Sequence, residues 1–239
     1  MADKVRLVFP GTGFMGQIAH LQNYANLTNE CEVVAVADPR ENVARQVAKR
    51  YNVPAVYSNI YEMLEKEDYD AIVCIQNFSR HEALLPEVLS IGKPVMLEKP
   101  IALRPETGEM LMDIAKKHGT KVMIGYHKRS DPATETAKVY VDKFKASGEY
   151  GRFNEVRVLM ADGDWCYCGI VPDVINSNEP VPPVKTEAPE ASFTKEQQDY
   201  HGHVVNYYIH QINYLRLMMG EPYDVEYVSG DGVVMVAKG

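Results

Sequence analysis

An α/β fold is predicted for this chain: a parallel sheet covered on both faces, then a second part of different character. Three observations predict it. Short apolar runs alternate with helical periodicity through about Gly125, the first run (VRLVF) leads into a turn with Gly11, Gly13 and Gly16 spaced GxGxxG, and the second ends on an acid, Asp38. Strands alternating with helices pair through crossovers, which make parallel sheets buried on both sides.

Val5–Phe9 reads as the first strand, and the glycines as its exit. The first glycine takes the tight turn, the second lets backbone approach a diphosphate, and the third lets the helix pack closely on the strand. Gly11, Gly13 and Gly16, with Phe14 and Met15 between them, are therefore expected to bind a dinucleotide. The following helix directs free N–H groups and the positive end of its dipole at the phosphates. EVVAVAD is the second strand, and the Asp38 carboxylate suits the two ribose hydroxyls of NAD. It would repel the 2′-phosphate of NADP by about 1–4 kcal/mol at close range. Arg40, two residues on, partly offsets that repulsion, so the expectation is NAD, with NADP second.

Pro39 precedes a helix with Val43, Ala44, Val47 and Ala48 on one face. AIVCI, PVML and KVMIGY are further strands. Pro86, inside HEALLPEVLSIG, predicts a kinked or late helix. Pro105 suits a first helical turn, Leu111, Ile114 and Ala115 form its buried stripe, and Gly119 stops it. Gly11, Asp38, Gln76 and Glu98 all fall at carboxyl ends of strands, where open α/β sheets bind ligands.

After Tyr126 the pattern changes, giving a first domain of residues 1–126 and a second of 127–239. Residues 133–146 read as a helix and FNEVRVLM as a half-buried strand. The proline- and acid-rich stretch from Gly163 to about Gln198 reads as a loop, a candidate lid. A helix resumes near His203, with Val204, Tyr208, Ile212, Leu215 and Met219 on one face, and stops at Gly220. The last residues read as a hairpin turning at Gly230-Asp231-Gly232.

Composition narrows the function. At 239 residues, 46% apolar and 24% charged, the chain is an ordinary globular protein with a net charge of −8. No basic field attracts nucleic acid, no apolar run nears the ~20 residues of a membrane helix, and no signal-peptide core opens the chain, so a cytoplasmic protein is expected. Four cysteines are too few for a disulfide framework. Cys166 and Cys168 lack the second half of a metal-ligand set, and the spacing of His201, His203 and His210 does not bring them together, so no metal is expected.

GTGFMG, HEALLPEVLSIGKPVMLEKP, GYHKR and NYYIHQINYLRLMMGEP together resemble the Gfo/Idh/MocA oxidoreductases from about Val5 to Pro222, and the tripeptide Glu98-Lys99-Pro100 is the most specific mark. The resemblance implies a Rossmann domain joined to an α+β domain with an open, mainly antiparallel sheet, here shortened, that often mediates homo-oligomerisation. It implies hydride transfer between a nicotinamide cofactor and a hydroxyl carbon of a sugar, cyclitol or glycoside. Such a reaction needs a hydride acceptor and a base for the hydroxyl proton. Lys99, whose ammonium beside an oxidised nicotinamide would feel a like charge, and His210, with a reference pKa of about 6.5, are the catalytic candidates. Arg129 and Asn206 are the substrate-binding candidates, and Gln76, His81, Glu98 and Lys99 join the cofactor set.

Departures from the family pattern stand beside the matches. Asn206 and Asn213 occupy positions where the family commonly has aspartates, and Gln76-Asn77 replaces its usual Thr-Pro. An asparagine cannot accept a proton. That leaves a non-catalytic NAD(P)-binding regulator, or a redox-neutral glycoside-processing enzyme, as alternatives. Family members are also longer: a short member, a shortened chain, and a sheet completed across a dimer are three readings of the final VVMVAKG.

Overall fold

The computed structural model describes residues 3–159, 174–229 and 234–239. The described residues form two units by contact. One comprises 3–125 with 174–188, and the other 126–159 with 189–229 and 234–239. This departs from a single cut after residue 126, because the 174–188 segment packs on the first unit.

The first unit is a six-stranded parallel sheet: β1 (Val5–Pro10), β2 (Cys31–Ala37), β3 (Ala55–Tyr57), β4 (Ala71–Cys74), β5 (Val95–Leu97) and β6 (Val122–Ile124), in the order β3-β2-β1-β4-β5-β6. That is the doubly wound dinucleotide-binding order, with its switch point between β1 and β4. Side chains alternate between two cores. Val8, Ala35, Ile72 and Cys74 pack on one face with Met63, Leu85 and Leu111, while Leu7, Phe9, Val36 and Val73 pack on the other with Leu21, Val43 and Val47. Burying each such large apolar side chain contributes about 1.5–3 kcal/mol, which fixes the strand register. β3 is an addition to the five runs read in the sequence, too short to show a period.

A π-helical turn (Gly16–Leu21) runs into α1 (Gln22–Tyr24) after β1. The other helices are α2 (Glu41–Tyr51), α3 (Ile60–Lys66), α4 (His81–Ser90) and α5 (Pro105–His118). α5 starts on Pro105 and ends with Gly119 at φ +69°, the left-handed cap that glycine adopts without penalty. α4 begins at His81 and continues through Pro86, neither delayed nor ended by it. Cys31 and Cys74 are buried free thiols, and burial pushes Cys74 up to about 12.

In the second unit Asp131 caps α6 (Pro132–Ser147), accepting the Ala133 amide at 2.8 Å. α7 (Lys195–His203) passes through a π turn (Val204–Tyr208) into α8 (Ile209–Met219), which ends at Gly220. This helical stretch begins about eight residues before the expected start, because Thr194 and Gln197 form a reciprocal capping box. β7 (Asp224–Val228) and β8 (Met235–Lys238) pair antiparallel. Residues 153–159 carry no strand, a correction to the reading of FNEVRVLM: alternation makes a strand only where a neighbour completes its ladder. The turn at 230–232 and the pair Cys166/Cys168 lie outside the described residues.

Candidate cofactor and active site

Gly11 has φ +115°, and a Cβ there would sit 2.2 Å from the Ile75 carbonyl oxygen. A Cβ on Gly16 would sit 2.6 Å from the Gly11 carbonyl oxygen. Both positions are glycine because the chain's own backbone crosses there. Gly13 differs: among the described residues, its chain neighbours aside, the only atom within 4 Å of its added Cβ is Arg40 Nη2, at 3.9 Å. The space beside Gly13 is open, as a turn that presents bare backbone to a diphosphate requires. Phe14 is exposed and Met15 partly buried.

Asp38 is 4% exposed at the end of β2. Its Oδ2 accepts the Thr12 amide (3.1 Å), the Thr12 hydroxyl (2.9 Å) and Arg40 Nη2 (2.9 Å), and its Oδ1 accepts Arg40 N (3.0 Å) and Nε (2.9 Å). Burial alone would raise its pKa, but the bonds from Arg40 and Thr12 outweigh burial and hold it below the ordinary carboxylate value. A buried anion thus stands next to the glycine turn, paired with a guanidinium that the turn's open side faces.

Across the sheet, the end of β5 carries Glu98 and Lys99. His20 Nε2 lies 2.7 Å from Glu98 Oε1, and the two side chains are 10% and 14% exposed. Glu98 Oε2 accepts the Lys99 amide at 3.1 Å, and the Lys99–Pro100 peptide is cis. Glu98 therefore ties the helix that follows the glycine turn to the backbone of Lys99. Burial lowers the Lys99 ammonium below the ordinary lysine value, with Glu98 opposing the shift. His20 was not singled out in the sequence, since a histidine on a buried helix face carries no motif.

The remaining expectations divide. Gln76 Nε2 donates to the Pro10 carbonyl at 3.1 Å, bracing the glycine turn from β4. His81 is fully buried and its Nδ1 lies 2.9 Å from the Ile101 carbonyl oxygen. That contact ties α4 to the loop that follows Lys99. In the second unit His127 and His210 meet edge to face, with ring centroids 4.9 Å apart, and Asn206 lies in the π turn four residues before His210. Arg129, read as a substrate anchor, donates from Nε to Asn213 Oδ1 at 2.5 Å. Among the described residues no three His, Cys, Asp or Glu side chains cluster to hold a metal.

The described stretch 174–188 of the loop expected from Gly163 to about Gln198 carries no helix or strand, and it is pinned along the carboxyl edge of the first unit. Gln17, 1% exposed, pairs with both backbone groups of Ile175, accepting its N–H (2.9 Å) and donating to its carbonyl (2.9 Å). Asn42 donates to Glu179 from its amide and its side chain, each at 3.2 Å. The fully buried Glu187 carboxylate accepts the amides of Leu103 (2.8 Å) and Arg104 (3.0 Å).

Comparison with known proteins agrees with this geometry. Residues 5–126, just over half of the chain, match the Gfo/Idh/MocA model, an oxidoreductase family with an NAD-binding Rossmann fold. The chain is 29% identical over 152 residues to the scyllo-inositol 2-dehydrogenase (NAD(+)) of Bacillus subtilis, covering 64% of this chain and 43% of that protein. It is 24% identical over 232 residues to the myo-inositol 2-dehydrogenase of Thermotoga maritima, covering 97% and 59%. A solved scyllo-inositol dehydrogenase of Lactobacillus casei, with bound NAD(H) and scyllo-inositol, shares the fold at a TM-score of 0.65 and 20% identity, over 93% of this chain and 58% of that one. The chain spans about half the length of the relatives it matches.

Proposed function

The chain belongs to the Gfo/Idh/MocA oxidoreductase family, and from that premise we propose that it exchanges hydride between NAD and a hydroxyl carbon of a cyclitol, sugar or glycoside. One observation carries the reading. A glycine turn with open space at Gly13 shares the carboxyl edge of one sheet with a partly desolvated lysine, Lys99, whose amide is held by the partly buried carboxylate of Glu98. The names of the relatives, inositol dehydrogenases, support a cyclitol as substrate class.

A nicotinamide ring, when bound, supplies the hydride exchange. The chain's residues supply the rest. Gly11, Gly13 and Gly16 offer backbone to the diphosphate, and Asp38 offers its carboxylate to the ribose. Lys99, its proton loosened by burial, orients the substrate hydroxyl and shares its proton. His210, on α8 of the second unit, is the candidate acid/base for the hydroxyl proton. Glu98, held by His20, fixes the backbone from which Lys99 extends.

A panel of cyclitols and sugars monitored for NADH absorbance tests the reading: at least one should give turnover that requires NAD. Asn206, where the family commonly has an aspartate, favours a second reading, a coenzyme-binding protein without net oxidation. Coenzyme binding with no absorbance change would select it, and product formation without net NADH would select a redox-neutral glycoside reaction. We further propose that the protein is a homo-oligomer through its second sheet, where Val225, Tyr227, Val234 and Val236 are exposed together.

A further inference from the structure

Asp38 and Arg40 alone leave the coenzyme choice open, because a guanidinium beside the ribose site is also the usual partner of a 2′-phosphate. The segment 174–188 brings a third charge to this place. Asn176 Oδ1 lies 3.4 Å from Arg40 Nη1, and three residues later Glu179 sits on the first turn of α2. Three hydrogen bonds hold that carboxylate: Asn42 N and Nδ2 at 3.2 Å on Oε1, and the Ser177 hydroxyl at 2.7 Å on Oε2. Arg40 and Glu179 feel each other's charge, which strengthens the proton hold of one and weakens that of the other. The position is not a chance of one loose loop, since Gln17 fixes the segment at Ile175 and Leu103 and Arg104 fix it at Glu187. The nearest other acid on α2, Glu41, is engaged with Arg45.

From this arrangement, and resting on the coenzyme reading above, we infer that Glu179 is a specificity-determining residue: with Asp38 it outweighs the charge of Arg40, so that the pocket takes NAD and rejects the 2′-phosphate of NADP. A phosphate brings nearly two negative charges to a place where two carboxylates face one guanidinium. Without Glu179 that repulsion falls, leaving Asp38 as the one carboxylate set against the Arg40 guanidinium. The uncharged ribose hydroxyls of NAD are indifferent to the change.

Dissociation constants for NAD and NADP, measured by calorimetry on the full chain, test the inference without relying on turnover. In Glu179→Gln the NADP constant should fall about tenfold while the NAD constant stays within twofold. Glu179→Lys should move the ratio further in the same direction, and Glu41→Gln should leave it unchanged. Thermal melting of each variant reports folding. An unmoved ratio in both Glu179 variants, or an equal weakening of both coenzymes, overturns the inference while the parent's NAD binding stands. A folded parent that binds neither coenzyme overturns the coenzyme reading itself, and the inference with it.

Discussion

Gly11 and Gly13 lie two residues apart in one turn and answer to different demands. At Gly11 a side chain meets the Ile75 carbonyl in a positive-φ conformation, so Gly11→Ala should destabilise the fold by about 2 kcal/mol or more, read as a lowered denaturation midpoint. At Gly13 the chain leaves room, so Gly13→Ala should melt like the parent yet bind coenzyme about tenfold more weakly. Equal melting and equal binding in both variants would contradict the division of roles. For Lys99→Met, turnover should drop about 10²- to 10⁴-fold with coenzyme affinity nearly unchanged. Undiminished turnover there would remove Lys99 from the mechanism. The glycines and the Glu98-Lys99-Pro100 tripeptide were legible in the sequence because each is tied to an adjacent strand end. His20 and Gln17 were not, because their partners lie 78 and 158 residues away.

At the level of elements, the two cores explain why the first half reads so directly. The central strands β1 and β4 are buried on both faces and helices such as α2 on one, so apolar period and structure coincide there. The second half lacks that redundancy. Helix α7 starts at Lys195 because of a cap, a signal that the surrounding polar composition concealed. Thr194→Ala should cost about 1 kcal/mol of stability and leave coenzyme affinity unchanged, measured by chemical denaturation beside a binding titration. A midpoint identical to the parent's would mean that the cap contributes nothing there. Residues 153–159 show the converse case, since their alternation promises a strand that no described neighbour completes.

Over the whole molecule, two carboxylates of the candidate site, the buried Asp38 and the partly buried Glu98, link it to acid stability. Asp38 and Glu98 are both held below their ordinary values: in each, burial acts upward and is outweighed, by Arg40 and Thr12 at Asp38 and by His20 and Lys99 at Glu98. Their folded-state values are depressed, so their contribution is complete above the unfolded values of about 3.9 and 4.3 and is lost as pH falls through the lower folded values. The denaturation midpoint should therefore fall between about pH 5 and about pH 3, and more steeply for the parent than for Asp38→Asn. Parallel curves would show that Asp38 keeps an ordinary pKa. By itself the sequence determined the parallel sheet, the glycine turn, the acid at the end of β2 and the lysine at the end of β5, because these follow from local period and from backbone demands that few residues meet. The tertiary structure alone decided that Arg40 closes on Asp38, that Glu98 rests on His20, and that residues 174–188 lie against the glycine-turn unit. Those are pairings of polar groups distant in sequence, and chain spacing holds no information about which buried donor will find which acceptor.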